Sequence, residues 1–313
     1  MKVAVIGCGG YVGSYVTAAL LARGHEVRGS VRDGSPERSS WIIEGAAAGA
    51  AERFELVEAD VFDKASVVRA MAGCEGTIVC AGSPKIEPET IPLMAAVAEN
   101  CCDAALEEGV GCAVFTSSTG STNPPDGEPE FKNEVDHWSD DELQMQTGKY
   151  AAVGKTRLDR TVLAKADASD GALRGVTINP STVTGPCMSP EPATSLRGYA
   201  AIIHGERMTS VPNGSMSLID VRDLAALHVA ALEQESASRR YFGVKQSWHW
   251  QDILAELGRQ VPEYEPPMLE AGVTPVRATG FDLTRQASLG VAVRDLPEIL
   301  GAAVAELRAR NMI

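Results

Sequence analysis

The chain has no CxxC pair, no histidine-rich neighbourhood, no surplus of positive charge and no long apolar run. Each absence removes a class of protein. Without metal-ligand spacings a zinc site is not expected, and no metal is assigned. The seven cysteines, at 8, 74, 80, 101, 102, 112 and 187, are odd in number, and several lie inside apolar segments. They read as reduced, buried thiols of a cytoplasmic protein rather than a disulfide framework. A formal net charge of −14 argues against nucleic acid or an anionic membrane as partner, because both need a basic face. No apolar stretch approaches the roughly 18 residues of a membrane span. The N-terminus enters a strand almost at once, which leaves no room for a signal peptide. No internal repeat or low-complexity tract is present.

What remains is an ordinary globular composition, 44% hydrophobic and 22% charged over 313 residues, enough for one large α/β domain or a domain and a half. Short apolar runs alternate with helical stretches through the first 180 residues. Strands are expected at Val3–Ile6, His25–Val31, Phe54–Val57, Thr77–Cys80 and Ala113–Thr116. Helices are expected at Tyr11–Arg23, near 64–72 and 90–109, and as one long helix from about Asp140 to Lys165, followed by the strand Gly175–Asn179. The Ala-rich stretch 46–51 also reads as helix. Such alternation predicts βαβ units and a Rossmann-type doubly wound parallel sheet. Two segments break the rhythm: a polar loop over 119–139, and a proline-rich excursion over 181–214 that returns to the sheet at Met216–Asp220. The expected division is a nucleotide-binding domain over 1–180, with a return segment at about 215–245. A smaller, mostly C-terminal substrate-binding lobe over 181–214 and 246–313 completes it.

Directly after the first strand comes Gly7-Cys8-Gly9-Gly10-Tyr11-Val12-Gly13, and then a helix. Glycines here serve a tight turn, close approach of backbone to a pyrophosphate, and tight strand–helix packing. The strand–turn–helix context makes this a dinucleotide site, with Gly7, Gly10, Tyr11, Val12 and Gly13 as expected contacts. The second strand ends Val31-Arg32-Asp33. Arg32 would meet a 2′-phosphate and Asp33 a bare ribose, so NADP (NADPH) is favoured over NAD, with Arg28 and Arg38 adding charge nearby. Asp60 and Val61, after the third strand, are placed to hold the adenine; a helix N-cap is the plainer role for Asp60.

Further segments extend the pattern. They are Val27–Asp33, Val114-Phe115-Thr116-Ser117-Ser118-Thr119-Gly120, Trp138-Ser139-Asp140, Gly154-Lys155-Thr156, Asn179–Pro186, Ile219–Ala225, Ser236–Phe242 and Leu289-Gly290-Val291. With them, nearly the whole chain resembles an extended short-chain dehydrogenase/reductase of the dihydroflavonol reductase and cinnamoyl-CoA reductase group. The resemblance implies that Ser118 hydrogen-bonds a substrate carbonyl and that Lys155 holds the nicotinamide ribose and lowers a tyrosine pKa. It also implies that Arg32 contacts the 2′-phosphate and that Pro180 packs near the nicotinamide. Related folds pair through the helices that fall at 90–109 and 140–165 here, so a homodimer is expected.

One position departs from the pattern. The group's tyrosine lies four residues before the lysine, where this chain has Ala151; its tyrosine is Tyr150. Four residues turn a helix by about 400° and five by about 500°, so Tyr150 and Lys155 would stand roughly 140° apart. Three readings stay open. A π-bulge between 150 and 155 restores the geometry; or Tyr150 points elsewhere and Ser118, a substrate group or water delivers the proton; or the fold binds NADP(H) as a regulator or scaffold. Ser118, Tyr150 and Lys155 are the candidate catalytic residues. The pocket is expected between the sheet's carboxyl edge and the excursion 181–214, walled by Ser83-Pro84, the loop after Ser118, and Cys187-Met188-Ser189. Small neutral walls suit a small or medium aldehyde or ketone. Nucleotide-sugar epimerases or dehydratases are a further alternative, but the Tyr-Gly pair common after their serine is replaced by Thr119-Gly120-Ser121-Thr122. The loop around Thr122-Asn123-Pro124 reads as solvated.

Overall fold

The structure, a computed structural model, describes residues 1–82, 87–127 and 129–313, and of Arg38 only the backbone. The strands are β1 (Lys2–Ile6), β2 (Glu26–Val31), β3 (Phe54–Glu58), β4 (Gly76–Val79), β5 (Cys112–Thr116), β6 (Phe131–Lys132), β7 (Arg174–Pro180), β8 (Thr182–Thr184), β9 (Ser215–Asp220), β10 (Arg239–Gly243), β11 (Gln246–His249) and β12 (Gly280–Phe281). The α-helices are α1 (Tyr11–Ala22), α2 (Pro36–Trp41), α3 (Lys64–Met71), α4 (Ile91–Glu108), α5 (Asp141–Gln146), α6 (Tyr150–Asp167), α7 (Thr194–Ile203), α8 (Val221–Glu233), α9 (Trp250–Gln260), α10 (Thr284–Ser288) and α11 (Leu296–Ala309).

Seven strands form one sheet in the order β10-β7-β5-β4-β1-β2-β3. Every neighbouring pair in it is parallel. That is the doubly wound Rossmann arrangement expected from the strand–helix alternation. Strand β1 shows why an unbroken apolar run was needed. Its side chains alternate between faces, Val3 and Val5 joining the cluster that holds Val16, Leu20, Leu224 and Leu227 of α1 and α8. Ala4 and Ile6 join the opposite cluster, with Val67, Val97, Phe115, Leu158 and Val162. A strand covered on both sides carries no polar face. A third cluster gathers Leu196, Tyr199, Leu254, Leu257, Leu300 and Leu307 around α7, α9 and α11.

Four expectations change. The helix expected over 140–165 is two helices: α5 ends before Gly148, whose φ of +70° is cheap only without a Cβ, and α6 begins at Tyr150. The excursion does not return to the main sheet, because β9 pairs with β8 and β11 in a separate three-stranded sheet, and β10 closes the main sheet instead. The stretch 46–51 closes a π-helical turn (Ile42–Ala46) and runs on through a turn at Gly49 rather than continuing as α-helix. The loop over 119–139 is not merely solvated. Ser121 and Thr122 are wholly buried and Ser139 nearly so, while Asn123 accepts a hydrogen bond from Lys132 Nζ at 2.7 Å.

Candidate active site

The strand order reverses between β1 and β4, and there the sheet opens a cleft at its carboxyl edge. A cavity of about 970 Å³ fills it, lined among others by Gly7, Gly10, Arg32, Val61, Cys80 and Ser189. The glycine turn is pinned from below: Gly7 and Cys8 N–H groups donate to Ser30 O at 3.1 and 3.0 Å, and Gly10 N–H donates to Gly7 O at 3.0 Å. A Cβ on Gly13 would lie 2.1 Å from Gly7 O, which only glycine avoids. Helix α1 starts at Tyr11 with Gly10 as its cap and no side-chain cap, so its first N–H groups and dipole face the cleft. Tyr11 itself turns away, donating its hydroxyl to Gly185 O at 3.2 Å, and burial raises its pKa far above the ordinary value.

At the end of β2, Arg32 is exposed in the cleft and makes no hydrogen bond or ion pair among the described residues. Asp33 accepts from Ser35 N–H at 3.0 Å. Arg28 is not part of this site. Its guanidinium donates to Glu55 at 2.8 Å and to Ala72 O at 2.6 Å, which holds it away from the cleft. Val61 lines the cavity, whereas Asp60 is exposed and uses one carboxylate oxygen on Phe62 N–H, an Asx turn rather than a helix cap. Asp63 caps the following helix instead.

Across the cleft, β5 ends at Thr116, whose carbonyl accepts from Lys155 Nζ at 2.8 Å. Desolvation lowers the Lys155 pKa to about 8, partly offset by Asp159 and Cys80. Ser118 follows, its Oγ accepting from Gly120 N–H at 3.0 Å and its carbonyl from Asn179 Nδ2 at 3.1 Å. Asn179 also reaches Asp159 Oδ2 at 2.8 Å and Ser121 Oγ at 2.9 Å. Pro180, at the end of β7, is buried next to Gly243 of β10. Ser118 and Lys155 thus both stand at the carboxyl edge, and Tyr150 opens the helix that carries Lys155, five residues before it.

Helix α6 is regular α-helix from its first residue, Tyr150, so the π-bulge expectation fails. Tyr150 therefore keeps its angular offset from Lys155, is half-buried, and makes no hydrogen bond among the described residues. Ala151, exposed, occupies the helix position one turn before Lys155. Among the expected pocket walls, Ser189 lines the nucleotide cavity while Cys187 is buried in the lobe's apolar cluster. Ser83-Pro84 and the Arg38 side chain lie outside the described residues. A second cavity of about 670 Å³, lined by Tyr11, Thr182, Ala193, Tyr199, Met216 and Trp250 among others, opens beside β8 and α7.

Sequence reasoning missed the polar layer behind the site. His228, wholly buried on α8, lies with Nε2 2.8 Å from Thr116 Oγ1 and Nδ1 2.8 Å from Leu224 O. Since a carbonyl only accepts, Nδ1 carries the proton and Thr116 donates to Nε2. Arg240, equally hidden, donates to His137 O and Ser121 O at 3.1 Å each and stacks 3.7 Å above Trp138. Its Nε is 3.4 Å from Asp159. A histidine inside the apolar run Leu227–Ala231 was the one available signal for this layer.

A dinucleotide cleft at a Rossmann switch point, flanked by a serine turn and a half-buried lysine, defines an NAD(P)-dependent oxidoreductase of the extended short-chain type. The chain belongs to the NAD dependent epimerase/dehydratase family, whose model matches residues 3–242. Cinnamoyl-CoA reductase 1 of Oryza sativa subsp. japonica is 33% identical over 263 residues, 84% of this chain and 76% of that protein. Vestitone reductase from alfalfa (Medicago sativa L.) superposes with a TM-score of 0.86 at 20% identity, covering 100% of this chain and 99% of that one. Yeast methylglyoxal/isovaleraldehyde reductase Gre2, complexed with NADPH, gives 0.81 at 19% identity, covering 100% of both chains. Among the described residues no helix is long and apolar enough to cross a membrane.

Proposed function

We propose that the chain is an NADPH-dependent reductase of a small or medium aldehyde or ketone. The observation that carries this reading is Lys155, held on Thr116 O beside Ser118 at the edge of the cleft that exposes Arg32, unpaired among the described residues. The residues present fit a dinucleotide: a turn where Gly13 admits no Cβ, an uncapped helix start, and a free guanidinium suited to a 2′-phosphate. Bound there, NADPH supplies the hydride. The protein's part is to fix and protonate the carbonyl. Ser118 Oγ has its proton free for the carbonyl oxygen, because it already accepts from Gly120. The Lys155 cation stabilises negative charge on a nearby phenol or on the developing alkoxide. In this reading Tyr150, in the first turn of α6, is the proton donor; its hydroxyl makes no hydrogen bond among the described residues.

The division into a nucleotide domain (1–180 with about 215–245) and a substrate lobe (181–214 and 246–313) is part of this reading. The apolar cluster shared by α7, α9 and α11 supports it, as does the second cavity beside them, which suits a carbonyl compound with an apolar body. A panel of aldehydes and ketones with NADPH, followed at the nicotinamide absorbance band, tests the proposal. Turnover no greater than that of Lys155→Ala would refute it. The regular start of α6 keeps a second reading in play, an NADP(H)-binding regulator. It predicts calorimetric NADP(H) binding without turnover on that panel.

A further inference from the structure

One wall of the nucleotide cavity is a strap with no regular structure, running from Pro186 to Pro192. Ser189, Pro190 and Glu191 face the same cavity as Gly10 and Arg32. Among the described residues, no backbone–backbone hydrogen bond involves residues 186–192. Buried or half-buried carbonyls without ladder partners need donors from elsewhere. Three of them find donors on one side chain 120 and more residues away, while the Cys187 thiol adds weaker contacts to Ser189 O at 3.9 Å and Glu191 O at 3.5 Å. Arg310, at the end of α11, donates from Nη2 to Cys187 O at 2.6 Å and Ser189 O at 2.7 Å, and from Nη1 to Pro190 O at 2.8 Å. Its remaining Nε donates to Glu306 Oε1 at 2.6 Å, one turn back on the same helix. The planar fork is thereby fixed at its root and grips three carbonyls of the strap.

We propose that Arg310 is a positioning residue for the dinucleotide: the C-terminal helix latches the 186–192 strap into the cavity wall and so sets how tightly the cofactor is held. This rests on the dinucleotide reading of the cleft, and not on the identity of the carbonyl substrate. The strap is otherwise tethered weakly. At its near end Gly185 takes φ +124°, where an L side chain is strained, and its carbonyl accepts from Tyr11 OH. At its far end Glu191 pairs with Arg197 at 2.7 Å, both exposed, which offsets a carboxylate that would otherwise repel a pyrophosphate. Between these ends Cys187 seats its side chain in the lobe's apolar cluster, and Arg310 fixes the carbonyls of Cys187, Ser189 and Pro190. Lysine cannot replace it, because a single ammonium cannot span carbonyls that the fork reaches from two nitrogens.

The full chain and its Arg310→Ala, Arg310→Lys and Glu306→Gln variants are titrated with NADPH by calorimetry, with thermal midpoints of the free proteins alongside. Arg308→Ala is the control, since Arg308 sits on the same helix but donates only to Gln260 O at 3.2 Å, away from the strap. Loss of the latch should raise the NADPH dissociation constant roughly tenfold in Arg310→Ala and nearly as much in Arg310→Lys. Glu306→Gln should raise it less, and Arg308→Ala should leave it unchanged. A folded Arg310→Ala or Arg310→Lys protein that binds NADPH like the parent overturns the proposal. So does Arg308→Ala weakening binding to the same extent, because that marks general loosening of the lobe. Should the alanine variant not fold, the lysine and glutamine variants decide it alone. A parent chain that binds neither NADPH nor NADH would refute the dinucleotide reading itself, a result distinct from an unaltered affinity in the variants.

Discussion

At the scale of single residues the question is where a proton comes from. Tyr150 and Ala151 differ by one position, yet on an α-helix that step is about 100°, enough to move a hydroxyl off the lysine's face. Nothing in α6 absorbs the step, since the helix is regular and its break lies earlier, at Gly148. A proton from Tyr150 would have to cross from the neighbouring helix face, and that phase can be reset. Tyr150→Phe is expected to lower turnover, but by less than the roughly hundredfold that a well-positioned general acid contributes. Adding Ala151→Tyr to that variant should return turnover to the parent's level or above. Ala151 is exposed, so the larger side chain meets no packed neighbour there. Steady-state kinetics with NADPH and the best carbonyl of the panel measures both. A double variant as slow as the single one shows that helix register is not what limits the step.

At the scale of elements, the strand–turn–helix unit at the N-terminus shows how far local sequence reaches. Gly7, Gly10 and Gly13 were readable as a dinucleotide turn because each demand is local: a positive φ at Gly7, and a Cβ clash at Gly13. The two glycines of the helix start nevertheless answer different needs, which spacing alone does not separate. Gly13→Ala would place a methyl 2.1 Å from Gly7 O, so the helix must shift, costing about 1–3 kcal/mol or more in stability. Gly10 has φ −83° and room for a Cβ, its nearest neighbour being Gly7 O at 3.4 Å. Gly10→Ala should leave stability within about 0.5 kcal/mol of the parent and weaken NADPH binding instead, because its methyl enters the cleft. Urea denaturation and calorimetry together separate the two, and equal stability loss in both variants would contradict this division. The α5–α6 break was less legible. A glycine within an apolar-periodic stretch is tolerated in many helices, and only the pairing of Gly148 N–H with Met145 O and Lys149 N–H with Gln144 O closes α5 there. The misplaced return of the excursion has a similar cause. An apolar strand such as β9 looks the same in either sheet, and its partners are chosen by tertiary packing.

At the scale of the whole molecule, what the sequence concealed is long-range polar pairing. His228 meets Thr116 across 112 residues and Arg240 meets Ser121 across 119, so neither burial could be inferred from neighbours. These pairings tie α8 and β10 to the segment from Thr116 to Ser121, and one of them should make the fold sensitive to acid. Burial lowers the His228 pKa to about 4 from the ordinary 6.5. Between those values the unfolded chain binds a proton that the folded chain refuses, so unfolding becomes easier as the pH falls from 6.5 towards 4. The slope from this one group is about 1.4 kcal/mol per pH unit. Its surroundings reinforce the sign: Thr116 offers a hydroxyl proton and not a carboxylate, and Lys155 of α6, bonded to the Thr116 carbonyl, is a cation below about pH 8. Carboxylates also titrate towards the bottom of this window, some with depressed values, such as Glu55 and Glu233, and some raised, such as Glu134 and Asp223. The informative quantity is therefore the difference between parent and variant. His228→Gln keeps a neutral amide for Thr116 and cannot gain a proton. Urea denaturation from pH 7 to 4.5 should find it less stable than the parent at pH 7, with a shallower decline towards acid by up to about 1.4 kcal/mol per pH unit. Parallel declines in the two proteins would mean that acid acts on the fold somewhere other than behind Thr116.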